Sequence, residues 1–516
     1  MQIADFTFEP ERLATPLPIW RSICPASDWQ EVAHAVAASG GRLVSLWGSD
    51  RRVGKAGGYV ISAAYATAEG LLCLELRLDQ QGATYPDISA SFPYANRMQR
   101  TIADLLGIVT EPMEDRRPWL NHGAWPTDYF PLRHEETGKE TFPACELQDY
   151  PFVRVEGDGV HEIAVGPVHA GIIEPGHFRF SVVGEKVLRL EERLGYKHKG
   201  IDKRFEEMPA KDGYRLAGRV SGDSTVAFSW AYCMALESIC NTRTPARARW
   251  LRAMLLERER VANHLGDLGA LANDAAFAFG LTQFMRLKED WLRLNQRLFG
   301  HRLLMDAVIP GGVAVDLENT GISELLTQCQ EIAKEVKNLR AIYENHAGLQ
   351  DRFIATGRVT NELATTLGLN GFAGRASGIP SDLRADFGMA PYGGHDFKKA
   401  VHRNGDVAAR VTVRFDEIAE SLRLIRLFAT ELAPGEIVVP LEAVAETKLG
   451  AGWIEGWRGE VFVALESDGE KIRRCHCHDP SWQNWPVLEH AVIGNIVPDF
   501  PLINKSFNLS YAGPDL

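Results

Sequence analysis

Apolar and polar positions along this chain follow two rhythms that alternate by region. The stretches GRLVSLWG (41–48), GGYVISAAYA (57–66) and LLCLELRLD (71–79) are short, rich in apolar and β-branched residues, and broken by Gly and charged turns. That pattern predicts an antiparallel sheet. With a helix expected from Asn96 to Leu106, this first part reads as a small α/β domain. The Pro- and aromatic-rich stretch Pro118 to Pro131 and the charged connector RHEETGKETFPACELQDYP suit a linker, which puts a domain boundary near residue 150.

From about residue 155 the strand rhythm returns through EIAVGPVHAGIIEPGHFRFSVVGEKVLRLEERL, and beyond Lys211 the pattern turns helical. Thr244-Pro245 is read as a helix start with a capping hydroxyl, after which Leu251, Met254, Leu255, Val261, Leu265 and Leu268 recur at helical spacing. A second long helix is marked by Val407, Val411, Phe415, Ile418, Leu422 and Ile425. Such stripes are core positions of a helical bundle. After Pro434, alternation predicts a strand in GEIVVPLEAV, a hairpin turning at Ser467-Asp468-Gly469, and a short helix from Pro486 to Ile493. The expectation is an α+β chain: a small α/β domain over 1–150 and a large helical-bundle domain with flanking β-sheets over 151–516.

Composition narrows the function classes. With 516 residues, 45% hydrophobic and 24% charged, the chain has the balance of a globular protein of two to four folding units. Its apolar runs fall short of the roughly 18 residues a membrane span needs, so membrane association is expected only through partner subunits. The opening MQIADFTFEPERLATP does not have the form of a secretory signal, and a cytoplasmic location is expected. A net charge of -12 with interspersed Lys and Arg argues against nucleic acid. Eight cysteines (Cys24, Cys73, Cys145, Cys233, Cys240, Cys329, Cys475 and Cys477) contain no CxxC pair, and reduced, buried thiols are expected. In Cys475-His476-Cys477-His478, strand alternation would send the two thiols to one face and the two imidazoles to the other, which disfavours a closed metal site.

Two groups of motifs carry a family resemblance. Met98 to Ile108, followed by Trp125-Pro126-Thr127-Asp128-Tyr129-Phe130-Pro131-Leu132, resembles the 30 kDa type subunit of complex I. The remainder resembles the 49 kDa type subunit and the large subunits of membrane-bound nickel–iron hydrogenases of the formate hydrogenlyase kind. The matching motifs include Gly166-Pro167-Val168-His169, Glu174-Pro175-Gly176-His177-Phe178-Arg179, Gly195 to Lys203, Glu257-Arg258-Glu259-Arg260 with His264 and Asp274, Asp382-Leu383-Arg384-Ala385-Asp386, and Asn484-Trp485-Pro486.

The departures from that pattern decide the expected chemistry. The hydrogenases hold nickel and iron through two CxxC motifs, because soft thiolate sulfur suits both metals and bridges them. Here the resemblance implies that Ser221, Ser224, Ser510 and Gly513 stand at those four positions, within Arg219-Val220-Ser221-Gly222-Asp223-Ser224 and Asn508-Leu509-Ser510-Tyr511-Ala512-Gly513. No metal is expected there. With the sequence ending at Leu516, the cleavable tail of many metal-loaded relatives is not expected. In complex I the vacated space receives a quinone headgroup between a His and a Tyr; the His aligns with His177, whereas the Tyr position is Gly222.

Expected catalytic groups are therefore His177, Asp223 and Tyr511, with Tyr196 a further candidate. Expected cavity-lining residues are His169, Arg219, Ser221, Gly222, Ser224, Asp382, Arg384, Asp386, Ser510 and Gly513. A structural histidine is the competing reading for His177, and a helix cap for Asp223. This chain has no cluster motif and no GxGxxG loop, so it is expected to bind no cofactor itself. Electrons would come from a [4Fe-4S] cluster in a small partner subunit, with an upstream dehydrogenase module linked to NAD(P)H or formate and with membrane ion-translocating subunits. The acceptor is expected to be a quinone. The alternatives are a catalytically silent scaffold and a metal enzyme with an unrecognised oxygen- and nitrogen-ligated centre.

Overall fold

A computed structural model describes residues 2–3, 6–7, 10–53, 57–79, 84–143, 150–443 and 448–516. Cys145 lies outside the described residues.

The N-terminal part is built on a five-stranded sheet of β1 (Glu11–Arg12), β2 (Ile19–Ile23), β3 (Arg42–Asp50), β4 (Tyr59–Thr67) and β5 (Gly70–Leu78). Its order is β1-β2-β5-β4-β3. The three runs read from alternation form the antiparallel meander β3-β4-β5, and β2 adds to β5 in parallel, so the sheet is mixed. Helices α1 (Trp29–Ala38) and α2 (Ala95–Leu106) bury apolar faces on this sheet. Gly48 lets α2 close on β3: a Cβ there would stand 2.5 Å from Leu106 Cδ1.

The second part opens with the antiparallel sheet β6 (Val160–Val165), β7 (His177–Val183) and β8 (Lys186–Arg193). Next come the helices α3 (Thr225–Ile239), α4 (Ala246–Asp274), α5 (Ala278–Phe299), α6 (Asn319–Asn345) and α7 (Val407–Thr430). They are followed by the antiparallel sheet β9 (Lys448–Glu455), β10 (Glu460–Asp468) and β11 (Lys471–His478), then α8 (Ser481–Ala491) and α9 (Phe500–Phe507). Helix α4 runs through the centre with both apolar and charged residues buried. Helix α3 lies against β9, where Gly450 and Gly452 allow the approach: Cβ atoms there would meet the Ala235 and Ala231 carbonyl oxygens at 2.1 and 1.9 Å.

Three local expectations are corrected. Thr244 does not cap α4; its hydroxyl donates to Glu237 Oε2 at 3.1 Å and Pro245 occupies the cap position. Residues 435–443 form an extended connection rather than a strand, with a single bridge from Val438 to Gly312. Helix α8 begins at Ser481 and carries Pro486 in its interior, where the expected helix began at that proline.

β11 decides what its Cys-His-Cys-His run does. Cys475 and Cys477 are buried in the core of the large part, and all seven described cysteines are free thiols. The imidazoles face the N-terminal sheet: His476 stacks on Trp47 at 5.2 Å and pairs with Ser45 Oγ at 2.9 Å, while His478 Nε2 pairs with Gln483 Oε1 at 3.0 Å. Buried charge completes that joint, with Arg51 bonded to both Glu466 and Glu75.

Candidate functional site

The two serine-bearing segments lie 289 residues apart in sequence and meet through a Ser221 Oγ to Ser510 Oγ contact of 3.0 Å. One segment is the loop leading into α3, and the other follows the left-handed turn at Asn508 that ends α9. Gly513 N donates to Ser510 Oγ at 2.9 Å, Ser510 N donates to Ser481 Oγ at 2.9 Å, and Trp485 Nε1 donates to the Ser510 carbonyl at 2.9 Å. The fold thus brings Ser221, Ser224, Ser510 and Gly513 into one neighbourhood.

Asp223 is the ionised acid of the site. Burial would raise its carboxyl, but Arg458 binds both oxygens and the Ser221 hydroxyl donates at 2.7 Å, so its pKa is held at about 2. Arg458 also donates to Ser224 Oγ at 3.2 Å and to the Asn508 carbonyl at 2.6 Å, tying both segments to one guanidinium. Asp223 does not cap α3. The carboxylate at that helix N-terminus is Glu259 of α4, which accepts from Val226 N at 2.6 Å and Ala227 N at 3.3 Å. Burial outweighs those bonds and pushes the Glu259 carboxyl up to about 8.

Asp479, invisible to motif reading, supplies the opposite kind of acid. It is fully buried, one oxygen accepts from Ser481 N at 2.8 Å, and Oδ2 has no hydrogen-bond partner. A Cβ at Gly513 would sit 2.5 Å from both Asp479 Cγ and Oδ2, so the carboxyl occupies the space any side chain at this position would take. Burial raises its pKa against the lowering effect of Arg458. Two acids sharing one arginine but driven in opposite directions are the usual make-up of an acid/base site.

The loop between β6 and β7 lies beside these residues. Glu174 Oε2 accepts from Ala512 N at 3.0 Å, and Gly176 packs against the Tyr511 ring, which stands 4.8 Å from Trp485 and 6.2 Å from His169. Burial pushes the Tyr511 hydroxyl up. His169 and His177 each bond a backbone carbonyl through Nδ1 and leave a buried Nε2 that has no partner among the described residues. His177 lies on the strand face opposite Phe178, beside Phe152 at 5.1 Å, and its pKa is lowered by burial. Its contacts are with Gly166 and Phe152, not with Asp223 or Tyr511. Tyr196 packs on His122 at 4.4 Å.

The remaining expected lining residues divide. Gly222 is exposed, with Met305 Cε 3.6 Å from where a Cβ would be, and Arg219 turns outward to a bidentate pair with Asp306 at 2.8 Å. Asp382 and Arg384 are fully buried in a separate ion cluster with Glu257, and Asp386 pairs with Lys399 at the surface. They do not contact the serines.

Hydroxyls, a missing side chain and a guanidinium do not fit a nickel–iron centre, which needs anionic sulfur. One other set, Asp50, His134 and Glu135, is close enough to share a metal ion, but the Arg52 guanidinium already sits among them. Among the described residues no helix is long and apolar enough to cross a membrane.

A β-hairpin, a central helical bundle and a C-terminal sheet that converge on two short motifs define a large subunit of the hydrogenase and complex I type, without its thiolates. Residues 267–451 match the family described as "Respiratory-chain NADH dehydrogenase, 49 Kd subunit", and residues 23–142 match the corresponding 30 Kd subunit family. A carbon monoxide-induced hydrogenase of Rhodospirillum rubrum is 30% identical over 357 residues, 67% of this chain and 97% of that protein. Formate hydrogenlyase subunit 5 of Escherichia coli is 29% identical, covering 92% of this chain and 85% of that one. The fused C/D-type protein of NADH-quinone oxidoreductase from Bacteroides thetaiotaomicron is 26% identical over 85% of this chain and 86% of its own length. A chain from an archaeal membrane-bound sulfane sulfur reductase has the same fold, with a TM-score of 0.65, 24% identity, and coverage of 69% of this chain and 99% of that one. The chain belongs to the family of the complex I 49 kDa subunit and the hydrogenase large subunits, and joins to it a domain of the 30 kDa subunit family.

Proposed function

We propose that this chain is the large core subunit of a membrane-associated redox complex, on the cytoplasmic side, passing electrons from a partner's [4Fe-4S] cluster to a quinone-type acceptor without nickel–iron chemistry. The observation that carries this reading is a hydrogen-bonded Ser221–Ser510 pair, where the resemblance implies thiolates, flanked by one acid held ionised and one that burial pushes toward its protonated form. A metal seat has become an organic proton-handling site. Reducing a quinone takes two electrons and two protons. The electrons would come one at a time from the cluster, and Asp479, with water at the exposed Gly222 side, would supply the protons.

His177 and Tyr511 are proposed to orient the acceptor as it enters past the β6–β7 loop; among the described residues His177 Nε2 has no partner. Membrane subunits and an upstream dehydrogenase module would complete the complex. One observation favours a scaffold instead: the serine contact and the Arg458–Asp223 pair already bridge the two motifs. Reoxidation of the reduced cluster in the purified complex by a water-soluble benzoquinone separates the two. Acceleration in the wild type that drops at least tenfold in Asp479→Asn supports the redox reading, whereas no acceleration by the quinone supports the scaffold. Elemental analysis that found nickel and iron in this chain would overturn both.

A further inference from the structure

Glu455 and Arg458 lie three residues apart, yet they serve different clusters. Arg458 binds the serine site, whereas Glu455 ends β9 inside a dry group of charges at the centre of the large part. Four carboxyl groups meet there: Glu257 and Glu417 from helices α4 and α7, Asp382, and Glu455. Three guanidinium groups answer them: Arg260, Arg375 and Arg384. Arg375 donates to Glu417 Oε1 at 2.7 Å and to Glu455 Oε1 at 2.8 Å; Arg384 donates to Asp382 Oδ2 at 2.6 Å and to Glu257 Oε2 at 3.0 Å; Arg260 Nε reaches Glu257 at 3.3 Å. His264 Nε2 bonds Glu417 Oε2 at 2.8 Å, and its Nδ1 is buried without a partner.

This set is one positive charge short. An uncompensated buried charge is costly enough that the group takes up a proton instead. Neighbouring charges do not make up the deficit, because Arg414 is engaged by Asp267, Arg458 by Asp223, and Arg42 by Glu460.

We propose that this cluster is a proton reserve that holds one exchangeable proton, shared between the Glu455 carboxyl and the His264–Glu417 pair. The groups around it identify Glu455 as the main carrier. Its Oε1 has Arg375, but Oε2 has only the Leu383 amide at 3.3 Å, and Asp382 and Glu460 face it with like charge. Burial is the largest influence on it and lifts its pKa to about 7, while arginines hold Glu257, Asp382 and Glu417 ionised. Burial also keeps the His264 imidazole neutral, leaving Nδ1 as the alternative proton acceptor.

The link to the serine site is the intervening loop. Trp457 stands edge-on to His264 at 6.0 Å, Arg458 stacks over the Trp457 ring at 4.1 Å, and Arg260 holds the Glu455 and Gly456 carbonyls at 2.8 and 2.9 Å. Negative charge arriving beside Arg458 would therefore raise the cluster's proton affinity. This linkage rests on the redox reading of the site; the reserve itself does not.

Infrared titration of the full chain tests the reserve without any acceptor. With glutamate carboxyls carbon-13 labelled, two titrating protonated-glutamate C=O components are expected: one half lost near about pH 7, absent in Glu455→Gln and retained in Glu259→Gln, and one half lost near about pH 8, which Glu259→Gln removes. Should Glu455→Gln fail to fold, the labelled Glu259→Gln variant decides the matter: no glutamate acid component half lost near about pH 7 overturns the proposal, as does such a component that survives Glu455→Gln. In the purified complex, proton uptake on cluster reduction in unbuffered medium at about pH 7 is expected to fall at least twofold in Glu455→Gln. Unchanged uptake overturns the linkage, whatever the quinone assay shows.

Discussion

Two polar regions share the segment between Glu455 and Arg458, and they are finished to different degrees. In the Glu257–Glu417 cluster the carboxylates are gripped by guanidinium groups and the whole is closed to solvent. In the serine site the Asp223 side chain remains 38% exposed, Asp479 Oδ2 has no partner, and His169 and His177 each present an unused nitrogen nearby. A satisfied network rigidifies and specifies packing, whereas unsatisfied groups persist where something else binds or reacts. The contrast separates a closed cluster, where His264 Nδ1 is left open and only a proton could enter, from a site that reaches solvent and has room for a larger ligand.

The comparison is broken most forcefully at Arg375. Arg375→Met leaves Glu417 and Glu455 without their main partner, and a loss of about 3–5 kcal/mol is expected in denaturant unfolding, or a chain that no longer folds. Gly513→Ala comes next. The new methyl would overlap the Asp479 carboxyl, costing about 1–3 kcal/mol, and the double variant with Asp479→Ala should recover most of it. Additive losses would show that Asp479 does not fill the position of the lost side chain.

Arg458→Ala sharpens the contrast without emptying the core of charge. Asp223 then loses the cation that depresses its pKa, and carbon-13 spectra of labelled aspartates should show it titrating at a higher pH. Because the folded pKa of about 2 lies below the ordinary 3.8, the wild-type pair contributes stability above that ordinary value and loses it as pH falls toward 2. Arg458→Ala should flatten that acid limb of the stability curve. The smallest effect belongs to the surface: Asp386→Ala breaks an exposed pair with Lys399 and should change stability by less than about 1 kcal/mol, less still at high salt.

Much of the fold was legible because it rests on local rhythm. The meander of β3, β4 and β5, the helices α2, α4 and α7, and the hairpin at Gly469 all coincide with apolar alternation or helical stripes. Residues 435–443 misled because apolar alternation there reflects packing of an extended segment and not a ladder. The candidate site was half legible. The positions of Ser221, Ser224, Ser510 and Gly513 followed from the family motifs, but Asp479, Arg458 and Glu259 carry no spacing signal that ties them to Asp223. Asp382 and Arg384 were expected as lining and instead belong to the closed cluster, since Arg384 meets Glu257 of α4, far away in sequence.

The chain's residues alone determined that its cysteines form no CxxC pair and that Ser221, Ser224, Ser510 and Gly513 offer no thiol, because the chemistry of a side chain does not depend on where it folds. Tertiary structure decided how readily each acid ionises. Asp223, Asp479, Glu259 and Glu455 carry the same functional group, and only the guanidinium each one meets, and the water each one loses, sets their protonation apart.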